Sequence, residues 1–153
     1  MTDRIVTTNA TAARKTPIHL WIVGIVSLLW NAVGAFDYLM TQTRNESYMS
    51  SFSEEQLTYF YGFPAWMEAF WALGVWGAVA GSVLLLARSR FALHAFVVSL
   101  VGLVGSSVYS FFLSEMPSDM NSSGYLAFTI AIYAVTIALI VYARRMIARN
   151  VLR

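Results

Sequence analysis

Residues 64–113 read PAWMEAFWALGVWGAVAGSVLLLARSRFALHAFVVSLVGLVGSSVYSFFL. Two long apolar runs flank the triplet Arg88-Ser89-Arg90. Each run, 64–87 and 91–113, is long enough for a helix across a bilayer core, which takes about 20 residues for about 30 Å of hydrocarbon. A link as short as the Arg88-Ser89-Arg90 turn leaves only an antiparallel return, so the stretch predicts a helical hairpin.

Two further runs of the same kind lie outside it, at 18–40 and 125–143. Start signals accompany these runs. Thr16-Pro17 and Phe63-Pro64 place proline where a helix begins and its missing N–H costs nothing. Asn121-Ser122-Ser123 offers capping hydroxyls and an amide before the last run. The expected fold is an all-α membrane protein, an up-and-down bundle of four transmembrane helices. Its domain spans 17–146, between an amino-terminal tail at 1–16 and a carboxyl-terminal tail at 147–153.

The charges orient this bundle. Of ten basic residues, Arg4, Arg14 and Lys15 precede the first run, Arg88 and Arg90 join the second to the third, and Arg144, Arg145, Arg149 and Arg153 follow the fourth. Only Arg44 lies on the other side. An excess of bases on one side marks the cytoplasmic face, so both termini are expected inside. Arg14-Lys15, the first apolar run and Val33-Gly34-Ala35 also fit a cleaved leader loosely. That run is long for a leader, and its retention is the expectation.

Composition excludes several classes. Apolar residues make up 58% and charged residues 12%, far from the roughly 25% charged of a soluble domain. The bases are split among short segments, so no contiguous patch exists to hold nucleic acid. The expected partners are the lipid bilayer and, through packing faces, a second copy or a larger membrane complex. There are no cysteines, which removes thiol nucleophiles, thiolate metal sites and disulfides. The HExxH, GxSxG and P-loop patterns are absent. No cofactor and no enzymatic activity are expected.

The one sizeable loop, 41–63, should carry a short interfacial helix at about 54–61. Ser51 with Glu54, or Ser53 with Gln56, has capping-box spacing. Leu57, Tyr59, Phe60 and Tyr61 suit the headgroup zone. An interfacial anchor is the preferred reading, and a lid over a cavity between helices the sharper one.

Ionisable groups within apolar runs cost energy and draw attention. Asp37 and Glu68 both fall near the loop end of their runs. Side by side they would share a proton and suit ion-coupled transport. Their structural roles weigh more. Glu68 lies in the first turns of a helix, where negative charge complements the dipole. Asp37 is expected to pair with Arg44, seven residues on, if the helix continues past Met40. Ser27, Asn31, Gly34 and Tyr38 share one helix face, expected to bond neighbouring helices or, alternatively, to line a substrate cavity. Gly74, Gly77 and Gly81, with Gly102 and Gly105, form small-residue faces. They should seal the second run against the third, the alternative being a dimer seam. His19 and His94 sit at matching depth, as two haem ligands would. An interface role is preferred for both.

The stretch Leu29-Trp30-Asn31-Ala32-Val33-Gly34-Ala35-Phe36-Asp37-Tyr38-Leu39-Met40-Thr41-Gln42-Thr43-Arg44-Asn45 resembles a group of small four-helix bacterial membrane proteins, mostly hypothetical and sometimes labelled "sugar transporter". Phe63-Pro64-Ala65-Trp66 and Val75-Trp76-Gly77 carry the same likeness. The resemblance implies a bacterial inner membrane and brings no catalytic residue or substrate. The functional expectation is a non-enzymatic accessory or structural membrane protein. The alternative is a small permease or ion-coupled transporter that works as an oligomer.

Overall fold

The computed structural model describes residues 16–153. The expected tail at 1–16 thus lies outside the described residues, save Thr16. The order is α1 (Ile18–Gln42), α2 (Glu46–Met49), α3 (Glu54–Tyr61), α4 (Ala65–Leu86), α5 (Phe91–Val108, continued by a π-helical turn, Tyr109–Leu113) and α6 (Ser123–Ala148). Four of these, α1, α4, α5 with its π turn, and α6, are long and apolar enough to cross a membrane. The last begins two residues earlier and ends five later than 125–143, because Ser122 caps it at Tyr125 N and its helical pattern runs on through Arg144 and Arg145.

Three helices end in the same way. Arg44, Arg88 and Asn150 adopt positive φ of 51°, 56° and 54°. After each, the chain closes a paired turn. Asn45 N donates to Met40 O and Arg44 N to Thr41 O; Ser89 N to Leu84 O and Arg88 N to Leu85 O; Val151 N to Met146 O and Asn150 N to Ile147 O. This doubly bonded stop is where glycine is the default residue. Arginine there twice costs about 1–2 kcal/mol per site.

α1 packs on α4, α4 on α5, and α5 on α6. The α4–α5 seam is the tightest, and the expected glycines make it so. A Cβ at Gly77 would lie 2.9 Å from Ser99 N and 3.0 Å from Ala95 O. One at Gly81 would meet the Phe96 ring at 2.5 Å, and one at Gly105 would enter the Phe70 ring. Gly102 faces Gly74 backbone to backbone. The small-residue faces therefore serve a seam within the chain, and the dimer alternative loses the stripe it relied on.

Each seam also carries a polar clamp. Asn31 Nδ2 donates to Ala78 O at 3.2 Å and to Ser82 Oγ at 3.0 Å, tying α1 to α4. Ser99 Oγ donates to Gly74 O at 2.6 Å between α5 and α4. The Tyr133 hydroxyl of α6 bonds Ser107 Oγ of α5 at 3.0 Å. His19 of α1 bonds the Tyr142 hydroxyl of α6. Where hydrocarbon surrounds helices, packing and such bonds hold them together, not a hydrophobic force between them. Asn31→Leu should accordingly cost about 0.6–2 kcal/mol. A double-mutant cycle with Ser82→Ala, followed by thermal unfolding in detergent, checks it; zero coupling would rule the clamp out.

Cohesion differs between the two ends. At the basic end, Leu20, Leu85, Phe96, Leu139, Ala143 and Met146 from four helices form a buried core. The residues after α6 join it. Leu152 is buried, Arg153 N donates to Arg88 O at 2.9 Å, and Arg90 N donates to Arg153 O at 3.0 Å. Of the expected tail at 147–153, Ile147 and Ala148 belong to α6, and the turn at Asn150 folds 151–153 back over the α4–α5 link. In the loop half, α6 has no buried residue before Thr136. The flanks are apolar and bare, with Val33 at 69% and Phe112 at 81% exposed.

Candidate functional site: the aromatic cap and the clefts at the two ends

At the loop end the chain leaves α1 through the Arg44 turn. Asn45 then caps α2, its side chain accepting from Tyr48 N at 3.1 Å. This single turn folds Tyr48 back over α1, and its hydroxyl donates to Asp37 Oδ1 at 2.6 Å. The expected Asp37–Arg44 pair is replaced for a geometric reason. α1 stops at Gln42, so Arg44 is no longer two helical turns above Asp37 on the same face. Its guanidinium lies over the Tyr61 ring instead, 4.4 Å from the centroid, a cation–π contact.

The bond to the Asp37 carboxylate, then burial, then the Asp37 charge push the Tyr48 phenol from 10.0 up to about 12. The proton is held because the phenol must donate. A phenol whose pKa is raised in the fold adds stability that is whole below about pH 10 and lost as pH climbs toward 12. In Asp37→Asn, the Tyr48 midpoint should fall from about 12 back toward 10, with burial holding part of the rise. Titration by absorbance at alkaline pH, with Tyr48→Phe to assign the signal, measures this. An unchanged midpoint would show that Asp37 is not the cause.

α3 starts as expected from Ser53 and Gln56, a complete capping box, whereas Ser51 plays no part in it. Aromatic contacts, most of them edge-to-face, fasten α2 and α3 to the bundle. Tyr48 meets Phe36 and Phe52, at 5.6 Å each. Phe52 meets Phe60 at 5.4 Å, and Phe63 meets Tyr59, Trp71 and Tyr109 at 5.0, 6.0 and 5.7 Å. Tyr38 stands on Trp71 at 5.0 Å. Such pairs each add about 0.5–1.5 kcal/mol beyond burial. The Tyr59 hydroxyl reaches Ser114 Oγ at 3.2 Å. Ser114 in turn donates to Tyr109 O at 3.0 Å, where the π turn ends. The loop is a cap stitched to three long helices.

Of the remaining candidates, Asn31 is spent on the α1–α4 clamp, and Gly34 on the same face has nothing within 4 Å of an added Cβ. Glu68 stands half-buried in the first turn of α4. His19 and His94 take different aromatic neighbours, Tyr142 and Phe91.

Two clefts open at the ends of the bundle. One of about 360 Å³ beside α3 is lined by Glu54, Glu55, Thr58, Tyr59, Glu115 and Pro117. The other, about 490 Å³, lies between α5 and α6 at the basic end, lined by Leu93, His94, Val97, Val98, Ile140 and Arg144. Neither includes Asn31, Asp37, Tyr38 or Glu68. Among the described residues, no three His, Asp or Glu side chains are grouped to hold a metal ion.

Sequence reasoning did not find Tyr48, Ser99, Tyr133 or Ser114. Asn45 three residues before Tyr48 is a capping signal that could have located α2. The other three are single polar groups in apolar runs, and nothing local names their partners. Searches against protein-family models, curated proteins and solved structures found no match for this chain.

Proposed function

We propose that this chain is a small integral membrane protein that crosses the bilayer four times with both termini in the cytoplasm. It works without catalysis, as an accessory or structural component of a bacterial inner membrane. The observation that carries the proposal is where the apolar surface lies. Only 17–22% of the most apolar window of each long helix is buried inside the chain. The rest needs an apolar solvent, and lipid supplies it. The sidedness of the arginines supports the orientation. The resemblance to small four-helix bacterial membrane proteins supports the location.

An oligomeric, ion-coupled permease is the rival. It needs Asp37, Glu68 and Asn31 to share a water-filled path. Asp37 is held by Tyr48, Asn31 by α4, and neither cleft reaches them. The cap and the bare flanks are better suited to contact than to passage.

The absence of cysteine makes the test simple. Ser47→Cys and Ala148→Cys should react with a membrane-impermeant maleimide from opposite sides, Ser47→Cys in intact cells and Ala148→Cys only after permeabilisation. Labelling of both from one side would overturn the orientation. Reconstituted vesicles that conduct protons or alkali cations, and stop on Asp37→Asn or Glu68→Gln, would replace the accessory reading with the permease.

A further inference from the structure

At the basic end, α5 departs and α6 arrives, so residues near the start of one lie level with residues near the end of the other. His94 is the fourth residue of α5, and Arg144 is four before the end of α6. At 1.5 Å per residue they stand about 4.5 and about 6 Å inside the helix ends. One turn deeper are Val97 and Val98 on α5 and Ile140 on α6. These same residues line the cleft of about 490 Å³. The cleft is therefore graded, with a cationic mouth at the level of headgroups and a hydrocarbon floor.

The charge around that mouth is unbalanced. Arg88, Arg90, Arg144, Arg145, Arg149 and Arg153 gather at this end. Every described carboxylate side chain (Asp37, Glu46, Glu54, Glu55, Glu68, Glu115, Asp119) belongs to the loop end. Among the described residues, no side chain offers Arg144 an anion. The Arg144 side chain is exposed, so its guanidinium is open to an anion from outside the fold. An inorganic phosphate would satisfy the guanidinium and leave the floor of Val97, Val98 and Ile140 unfilled. A phospholipid fills both parts.

We infer that the α5–α6 cleft holds one anionic phospholipid, its phosphate at the Arg144 guanidinium and the His94 ring, and one acyl chain along Val97, Val98 and Ile140. The guanidinium fork matches two phosphate oxygens, and basic pockets between membrane helices suit such headgroups. The inference rests on the membrane reading above. Its place between α5 and α6, away from the glycine seam, lets a lipid fill a seam that packs less closely than those of α4 with α5 and α1 with α4.

The full chain in nanodiscs of phosphatidylcholine with a minor fraction of phosphatidylglycerol, released into native mass spectrometry, tests it. One phosphatidylglycerol should be retained per chain in preference to phosphatidylcholine. Arg144→Gln should weaken that retention at least about tenfold, the loss of one charge-assisted pair. Arg145→Gln, with the same net charge and helix depth but outside the cleft, should stay within about twofold of wild type. Arg144→Lys should restore part of the loss. Equal losses in the two glutamine variants would mean diffuse attraction and overturn the inference, as would equal retention of both lipids. Competition by millimolar inorganic phosphate as effective as by phosphatidylglycerol would make the ligand a free anion and also overturn it. Alkaline carbonate extraction separates the two readings. A chain washed from the membrane refutes the membrane reading; one that stays but retains no lipid refutes the cleft alone.

Discussion

Gly102→Ala should destabilise the protein by about 3 kcal/mol, the upper end of what an extra methylene costs in a packed interior. The new Cβ would overlap Gly74 N and lie 2.5 Å from Phe70 O and 2.7 Å from Gly74 Cα. These are backbone atoms and have no rotamer to escape into. α4 and α5 would have to part, and the Ser99 Oγ to Gly74 O bond of 2.6 Å would go with them. Gly34→Ala is the matched control. Nothing lies within 4 Å of its added methyl, and removing a helical glycine should gain about 0.5–1 kcal/mol. Thermal unfolding of both variants in one detergent makes the comparison. A Gly102→Ala melting point equal to that of Gly34→Ala would mean the seam is not formed as described.

Phe96→Ala should lose about 3 kcal/mol. Phe96 is fully buried in the core at the basic end. Emptying such a site costs about 3–5 kcal/mol in a water-soluble protein. The lower figure applies because lipid or detergent tails are themselves apolar, which leaves packing as the main loss. The ring also sits 2.5 Å from the position of a Cβ on Gly81. Gly81→Ala should therefore be harmful alone and much less harmful in the Phe96→Ala background. A double-mutant cycle with no favourable coupling would show that the two positions do not share this space.

The hairpin, the four long helices and the glycine seam were legible in the sequence because each rests on local signals. Proline and capping residues mark starts, the Arg88-Ser89-Arg90 turn dictates the return, and small residues at helical spacing share a face. The capping box at Ser53 was legible for the same reason. The partners of Asp37 and Arg44 were not. Their pairing depended on α1 running past Met40 as far as Arg44, and a stop at Gln42 with Arg44 left-handed is a choice of two or three residues. Once the turn forms, α2 brings Tyr48 to Asp37 across a distance that helical spacing does not describe. The polar clamps of Ser99 and Tyr133 were hidden because the register between helices decides them. The closing of residues 151–153 over the basic end depended on the left-handed Asn150, which carries little signal by itself.

Arg44 and Arg88 occupy backbone positions that suit glycine, and each keeps a side chain that glycine would delete. A protein engineer seeking a hardier variant would choose Arg88→Gly first, since it relieves about 1–2 kcal/mol of steric conflict. In the proposed topology the same change removes a cation from the link between α4 and α5, and with it part of the asymmetry that would orient the chain. In that topology durability and sidedness are written into one residue in opposing senses, and selection for thermal resistance alone would erode the charge difference that the orientation rests on.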